Sequence, residues 1–231
     1  MAIKRVILIC CVWTMTSEIV VAQNPEHELG NWLIYNGTIQ FSERWSLFTE
    51  AQLRLWEIGS NVNDVLLRAG GQYHTSPNTL VALGYLHSKV RVFEDGPDTT
   101  ENRIYEQFTG KHRWGRPLLE HRFRLEQRWL ETSGDTIYRN RARYRLQITT
   151  PLNRPTMQPR THFVNIYDEV MLNFANSHDN GFDQNRLYAA YGYQFTKLAN
   201  LQLGLLWQAK PSQDFFRLQI FYTHNFDLTD H

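Results

Sequence analysis

Two neighbouring segments carry a charged side chain at nearly every second position. In residues 118–130, Leu119, His121, Phe123, Leu125, Gln127 and Trp129 alternate with Glu120, Arg122, Arg124, Glu126 and Arg128. In residues 138–148, Tyr138, Asn140, Ala142, Tyr144, Leu146 and Ile148 alternate with Arg139, Arg141, Arg143, Arg145 and Gln147. A strand points successive side chains to opposite faces, so both stretches predict strands with one apolar and one highly charged side. A soluble sandwich would turn the charged side to water. A closed barrel in a bilayer would turn it inward, to a polar lumen, and present the apolar side to lipid.

The N-terminus favours the second geometry. Lys4 and Arg5 precede an apolar core at residues 6–13, and Val20-Val21-Ala22 before Gln23 has the small-residue form of a signal-peptidase site. The expected organisation is a cleaved signal peptide over 1–22 and one barrel domain over 23–231, exported to the outer membrane of a Gram-negative cell. The apolar run is too short to span a bilayer as a helix. Cys10 and Cys11 both fall within it. The mature chain therefore offers no disulfide, no thiol nucleophile and no cysteine-ligated zinc, and neither a metal nor a cofactor is expected. Cleavage removes Lys4, Arg5 and Glu18, leaving 22 basic and 22 acidic residues. That balance argues against a nucleic-acid partner. No later apolar run suits a membrane helix, so any crossing must use strands.

The same alternation recurs along the mature chain. Eleven segments read as strands: about 29–41, 45–57, 65–73, 80–92, 103–113, 118–130, 138–148, 161–172, 187–195, 201–207 and 215–227. Bacterial single-chain barrels usually have an even number, which sets the expectation at 10 to 12 antiparallel strands with 12 favoured. Short periplasmic turns near 43, 77, 115 and 198 are expected opposite longer extracellular loops near 60, 97, 179 and 133. Trp45, Tyr73, Trp114 and Phe195 at one set of strand ends, and Trp129, Tyr138 and Trp207 at the other, suit interfacial girdles. Cross-strand aromatic packing is the plainer explanation.

Several blocks carry a family resemblance: Glu28-Leu29-Gly30-Asn31-Trp32, the stretch 41–50 reading FSERWSLFTE, the stretch 121–129 reading HRFRLEQRW, the pair Asp168-Glu169, and Asn185-Arg186-Leu187-Tyr188 followed by Gly192-Tyr193. Together they resemble the bacterial family known as domain of unknown function 2490. The resemblance implies an outer-membrane β-barrel and brings no catalytic residues with it.

Hairpins about the turns named above would set Lys111 opposite Glu120 and Arg141 opposite Glu126. They would also set Arg122 against Arg145, Arg124 against Arg143, and Arg128 against Arg139. Like charges directly opposite destabilise a sheet unless other groups compensate. The inward parity of these three strands carries ten bases, including Arg103 and Arg113, against Glu120 and Glu126. Glu50, beside Arg54 on the second strand, either Asp168 or Glu169, and acids on the loops are the candidate counter-charges. The favoured role is an internal ion-pair network filling a narrow, monomeric barrel that is surrounded by outer-membrane lipid. The alternatives are a small pore or cavity for an anionic solute, a lipid-modifying enzyme, and a secreted soluble β-sandwich. Against the enzyme, His74, His87, His112, His121, His162 and His178 form no recognisable nucleophile motif, so no catalytic residues are expected. Against the sandwich, strands of about 13 residues are roughly twice the usual soluble length.

Overall fold

A computed structural model describes residues 29–91, 96–175 and 181–229. The expected signal peptide, His178 and parts of the loops near 93 and 179 lie outside the described residues. The described chain is all β, in eleven strands: β1 (Gly30–Gln40), β2 (Trp45–Glu57), β3 (Ser60–Ser76), β4 (Thr79–Val90), β5 (Thr99–Arg113), β6 (Leu118–Thr132), β7 (Asp135–Pro151), β8 (Thr161–Phe174), β9 (Gly181–Gln194), β10 (Ala199–Ala209) and β11 (Asp214–Asp227). Each pairs with its sequence neighbours, and β1 closes the barrel against β11.

The strand number is odd, so the favoured count of twelve is corrected to eleven among the described residues. The proline-bearing stretch 152–160 makes turns, and the first segment stays whole. In an up-and-down meander an odd count brings the first and last strands together in the same direction. The β1–β11 seam is accordingly parallel, from Gly30 opposite Arg217 to Gln40 opposite Asp227, and all other pairings are antiparallel. The two rims do not divide cleanly by loop length. The joins at 58–59 and 133–134 are tight turns, and the long join 152–160 lies on the rim of the other short turns. At 133–134 both Ser133 and Gly134 have positive φ, 54° and 89°, which suits the twist of a two-residue hairpin.

Alternation sets the side-chain directions. Leu33, Leu67, Leu83, Phe123, Leu125, Tyr191, Leu203, Leu205 and Phe216 are exposed on the outside. Their strand neighbours point into the lumen and are buried or half-buried. The interior is not uniformly polar. Around β1 and β8–β11, Trp32, Ile34, Tyr167, Tyr188, Ala190 and Leu206 form an apolar cluster with Phe221 against it. Large inward rings are accommodated by cross-strand glycines. Tyr105 lies over Gly84, its register partner, and over Gly70 beyond it. Phe163 covers Gly192 in the same way. A ring laid on a paired glycine covers backbone that would otherwise be bare and lets a narrow barrel hold a large side chain.

This packing has a measurable consequence. A Cβ at Gly84 would fall within the Tyr105 ring, whereas one at Gly71 meets nothing within 4 Å. Gly84→Val should lower the unfolding free energy by roughly 1–3 kcal/mol through overpacking. Gly71→Ala should stay within about 0.5 kcal/mol of wild type. Urea unfolding of the two variants in the same detergent provides the comparison.

Candidate functional site

The arginine wall assembles in the register that the sequence implied. Lys111 faces Glu120 between β5 and β6, and Glu126 faces Arg141 between β6 and β7. Arg122/Arg145, Arg124/Arg143 and Arg128/Arg139 are opposite one another. The like-charge repulsion is relieved because each carboxylate collects cations from several strands.

Glu126 is the centre of that arrangement, with 0% of its surface exposed. Its Oε1 accepts from Arg143 Nη1 at 2.8 Å and Arg103 Nη1 at 3.1 Å, with Arg124 Nη1 at 3.7 Å. Its Oε2 accepts from Arg141 Nε at 2.8 Å and lies 2.7 Å from Arg141 Nη2. Three further carboxylates surround this centre. Glu101 accepts from Arg103 and from Arg128, each at 2.6 Å in its shorter contact. Glu169 accepts a two-pronged contact from Arg143, 3.1 and 2.8 Å, and Arg122 Nη2 at 2.6 Å. Glu120 pairs with Arg145 at 2.6 Å and, more loosely, with Lys111 at 3.5 Å. Two-pronged arginine–carboxylate contacts are among the stronger charge-assisted hydrogen bonds.

The remaining expected residues lie on the same lumen. Glu50 pairs with Arg68 at 3.0 Å, and Arg54 with Asp64 at 2.9 Å. Arg139 lines the shared cavity, a lumenal space of about 1340 Å³. Of the two candidate counter-charges on β8, Glu169 points in, and Asp168 points out, where Asn185 donates to it at 2.8 Å.

The sequence reading missed several members. Glu101 was assigned to a loop because residues 95–98 read Asp-Gly-Pro-Asp, yet β5 begins at Thr99 and gives Glu101 the parity of Arg103. Asp183 was likewise assigned to a loop; β9 starts at Gly181, and Asp183 pairs with Arg141 at 2.7 Å. Asp64 lies one residue before the expected start of the third strand. For Glu101 and Asp64, extending the alternation by a few residues would have found the acid; Asp183 sits at a register shift between β8 and β9, where the parity of Leu187 carried back would have turned it outward. The inward aromatics Trp32, Tyr105, Tyr167 and Tyr188 gave no such signal, because their residue type suits either face of a barrel.

Of the histidines considered for catalysis, His74 stands 2.9 Å from the Ser46 hydroxyl, which also donates to Gln72 at 3.0 Å. Ser46 is buried, and among the described residues no carboxylate holds the His74 ring. His121 is outward, beside the Tyr144 hydroxyl at 2.8 Å and stacked on His112.

The family model for proteins of unknown function DUF2490 matches residues 29–219. The chain belongs to that family. No curated protein and no solved structure matches it. Within this DUF2490 protein, the match runs from the residue before β1 into β11 and so takes in the whole arginine–glutamate network.

Removing one partner of a buried ion pair leaves the other charge uncompensated and costs about 3–5 kcal/mol. Glu126→Gln should therefore destabilise the barrel by about that amount. Glu120→Gln, at a partly exposed pair, should cost no more than about 1 kcal/mol. Denaturant midpoints of the two variants, read by tryptophan fluorescence, test the contrast.

Proposed function

We propose that this DUF2490 protein is an integral outer-membrane β-barrel, exported by a cleaved signal peptide over 1–22, whose lumen is closed by a structural ion-pair network and is neither a catalytic site nor an open pore. The observation that carries the reading is the inversion of a soluble fold's polarity. Phe123, Leu125 and Leu203 are 51%, 47% and 54% exposed, while Glu126, Arg124 and Arg143 are buried. An apolar belt running right around a closed barrel exceeds the few hundred Å² of contiguous apolar patch that a soluble monomer tolerates, and it matches the lipid-facing surface of a membrane barrel. An odd strand number is compatible with such a barrel.

Two exterior carboxylates interrupt the belt, Glu106 and Asp168. Each is met by an amide donor, Gln127 at 3.2 Å and Asn185 at 2.8 Å, which lowers the cost of keeping them beside lipid. The aromatic pairs at the strand ends, Trp45 with Tyr73 and Trp129 with Tyr138, are cross-strand neighbours. In a bilayer they would also serve as interfacial anchors.

In this reading the barrel is surrounded by outer-membrane lipid and acts as a monomer, and the arginines of β5–β7 give rigidity. The inward wall from β5 to β8 carries more bases than acids, and an anion-selective pore there is disfavoured because Arg103, Arg122, Arg128, Arg141, Arg143 and Arg145 are engaged with carboxylates. The lipid-modifying reading is disfavoured because Ser46 is buried and, among the described residues, its histidine neighbour has no carboxylate to orient it.

The protein is expected to fractionate with outer membranes, resist carbonate extraction and migrate faster on a gel when unheated. Release into the soluble fraction as a monomer would refute the reading. Arginine at Leu125 should cost roughly 2–4 kcal/mol if that position sits near the bilayer midplane. Planar-bilayer recording should give no steady conductance. A stable anion-selective current that Arg143→Ala/Arg145→Ala makes unselective would establish the pore in its place.

A further inference from the structure

The lumen's cations are held in two different ways. Along β5–β8, Arg103, Arg128, Arg141 and Arg143 each direct an N–H fork at a carboxylate. At the rim bearing the β2–β3, β8–β9 and β10–β11 joins, four cations rest on aromatic faces, and of these Arg54 also has a carboxylate partner. Arg54 and Arg186 lie over the Trp32 ring, at 4.1 and 5.2 Å from its centroid. Arg217 and Lys210 lie over Phe215, at 4.7 and 5.0 Å. An aromatic face steadies a cation without occupying its N–H donors. Arg186 and Lys210 have no ion pair or side-chain hydrogen bond among the described residues, and Arg186 Nε is out of solvent without a partner. The nearby lumenal carboxylates are already engaged, Asp64 by Arg54 and Asp183 by Arg141.

The topology brings these cations together. Arg186 on β9 faces Gln208 on β10, and Lys210 follows two residues later in the 210–213 turn. All of them line the same cavity. Burial pushes the Lys210 ammonium below its ordinary value, and the neighbouring Arg186, Arg217 and Arg54 push it the same way, against a weaker opposing pull from Asp183. Arg186 and Lys210, held beside other cations and without an ion pair of their own among the described residues, would be stabilised by an anion from outside the chain.

We propose that Arg186 and Lys210, with Arg54 and Arg217 beside them, form a binding site for a carboxylate or phosphate group at this rim of the lumen. The site borders the carboxylate-paired arginine wall, since Arg186 stands opposite Glu169, itself engaged by Arg143 and Arg122, and it requires the closed barrel but not its placement in a membrane. A planar guanidinium fork suits a two-pronged contact with either oxyanion, and Lys210 adds a point charge at the mouth.

The test uses the full mature chain refolded in a non-ionic detergent, with two probes. One arm titrates inorganic phosphate, and the other titrates phosphatidylglycerol in mixed micelles, each followed by calorimetry and by the shift in thermal midpoint. Saturable binding in either arm is expected, with Arg186→Gln weakening it about tenfold or more, equivalent to about 1.4 kcal/mol. The arm that responds identifies a soluble anion or a lipid headgroup as the source. Arg44→Gln removes one charge from the opposite rim and should leave the affinity unchanged. If Arg186→Gln does not assemble, Lys210→Gln, in the turn, carries the same comparison. No saturable binding in either arm, or equal weakening by Arg186→Gln (or its Lys210→Gln substitute) and Arg44→Gln, would overturn the proposal.

Discussion

Glu126 holds the interior together because one carboxylate, removed from water, must satisfy two oxygens and at the same time relieve the mutual repulsion of four guanidinium groups drawn from three strands. Arg103 reaches it from β5, Arg124 from its own strand β6, and Arg141 and Arg143 from β7. The network then spreads outward through shared arginines. Arg103 links Glu126 to Glu101, and Arg143 links Glu126 to Glu169 on β8. A network of this kind contributes little net stability compared with apolar packing of equal volume, but any incomplete version is strongly disfavoured. Its effect is to fix register. A slip of β7 by one residue against β6 would turn every arginine of β7 outward and leave the β6 carboxylates behind.

The other half of the lumen is filled by different physics. Trp32, Tyr167, Tyr188, Leu206 and Phe221 pack as an apolar cluster, and inward glutamines such as Gln184 and Gln208 hydrogen-bond to each other. Rings over glycines, Tyr105 on Gly84 and Phe163 on Gly192, let these side chains fit inside a small circumference. Tyr105 joins the two regimes, since the Arg124 guanidinium stacks on it at 4.5 Å. The lumen is thus divided into an ionic sector and an aromatic sector. The cations that lack carboxylate partners sit where the aromatic sector meets the rim, at Arg186 and Lys210.

Closure by a parallel pair follows from strand number alone, because the eleven strands form an uninterrupted meander. The start of β1 and the end of β11 consequently lie at opposite rims. Belonging to the DUF2490 family extends this architecture's relevance beyond one chain without adding an activity. The functional weight therefore rests on the distribution of charge and apolar surface, which is what the outer-membrane reading uses.

The amino-acid pattern alone specified the all-β class, the approximate strand positions, the facing of each alternating strand and the register of the β5–β7 hairpins. These follow from a period of two and from turn residues, both local properties. It also identified most of the ionic site, including Glu50, Arg54, Glu120, Glu126 and the arginines of β6 and β7, because charge on one parity is visible without a fold. Only the tertiary structure decided the parallel seam, which depends on how the ends of the sheet meet. Only it placed Glu101, Asp64 and Asp183, which lie at strand ends where loop-like residues mask the alternation. It alone separated Glu169 from Asp168 on a strand with no clean polar face. It also decided which carboxylate neutralises which arginine, because a guanidinium such as Arg122 reaches Glu169 two strands away, across a curvature that no linear pattern encodes.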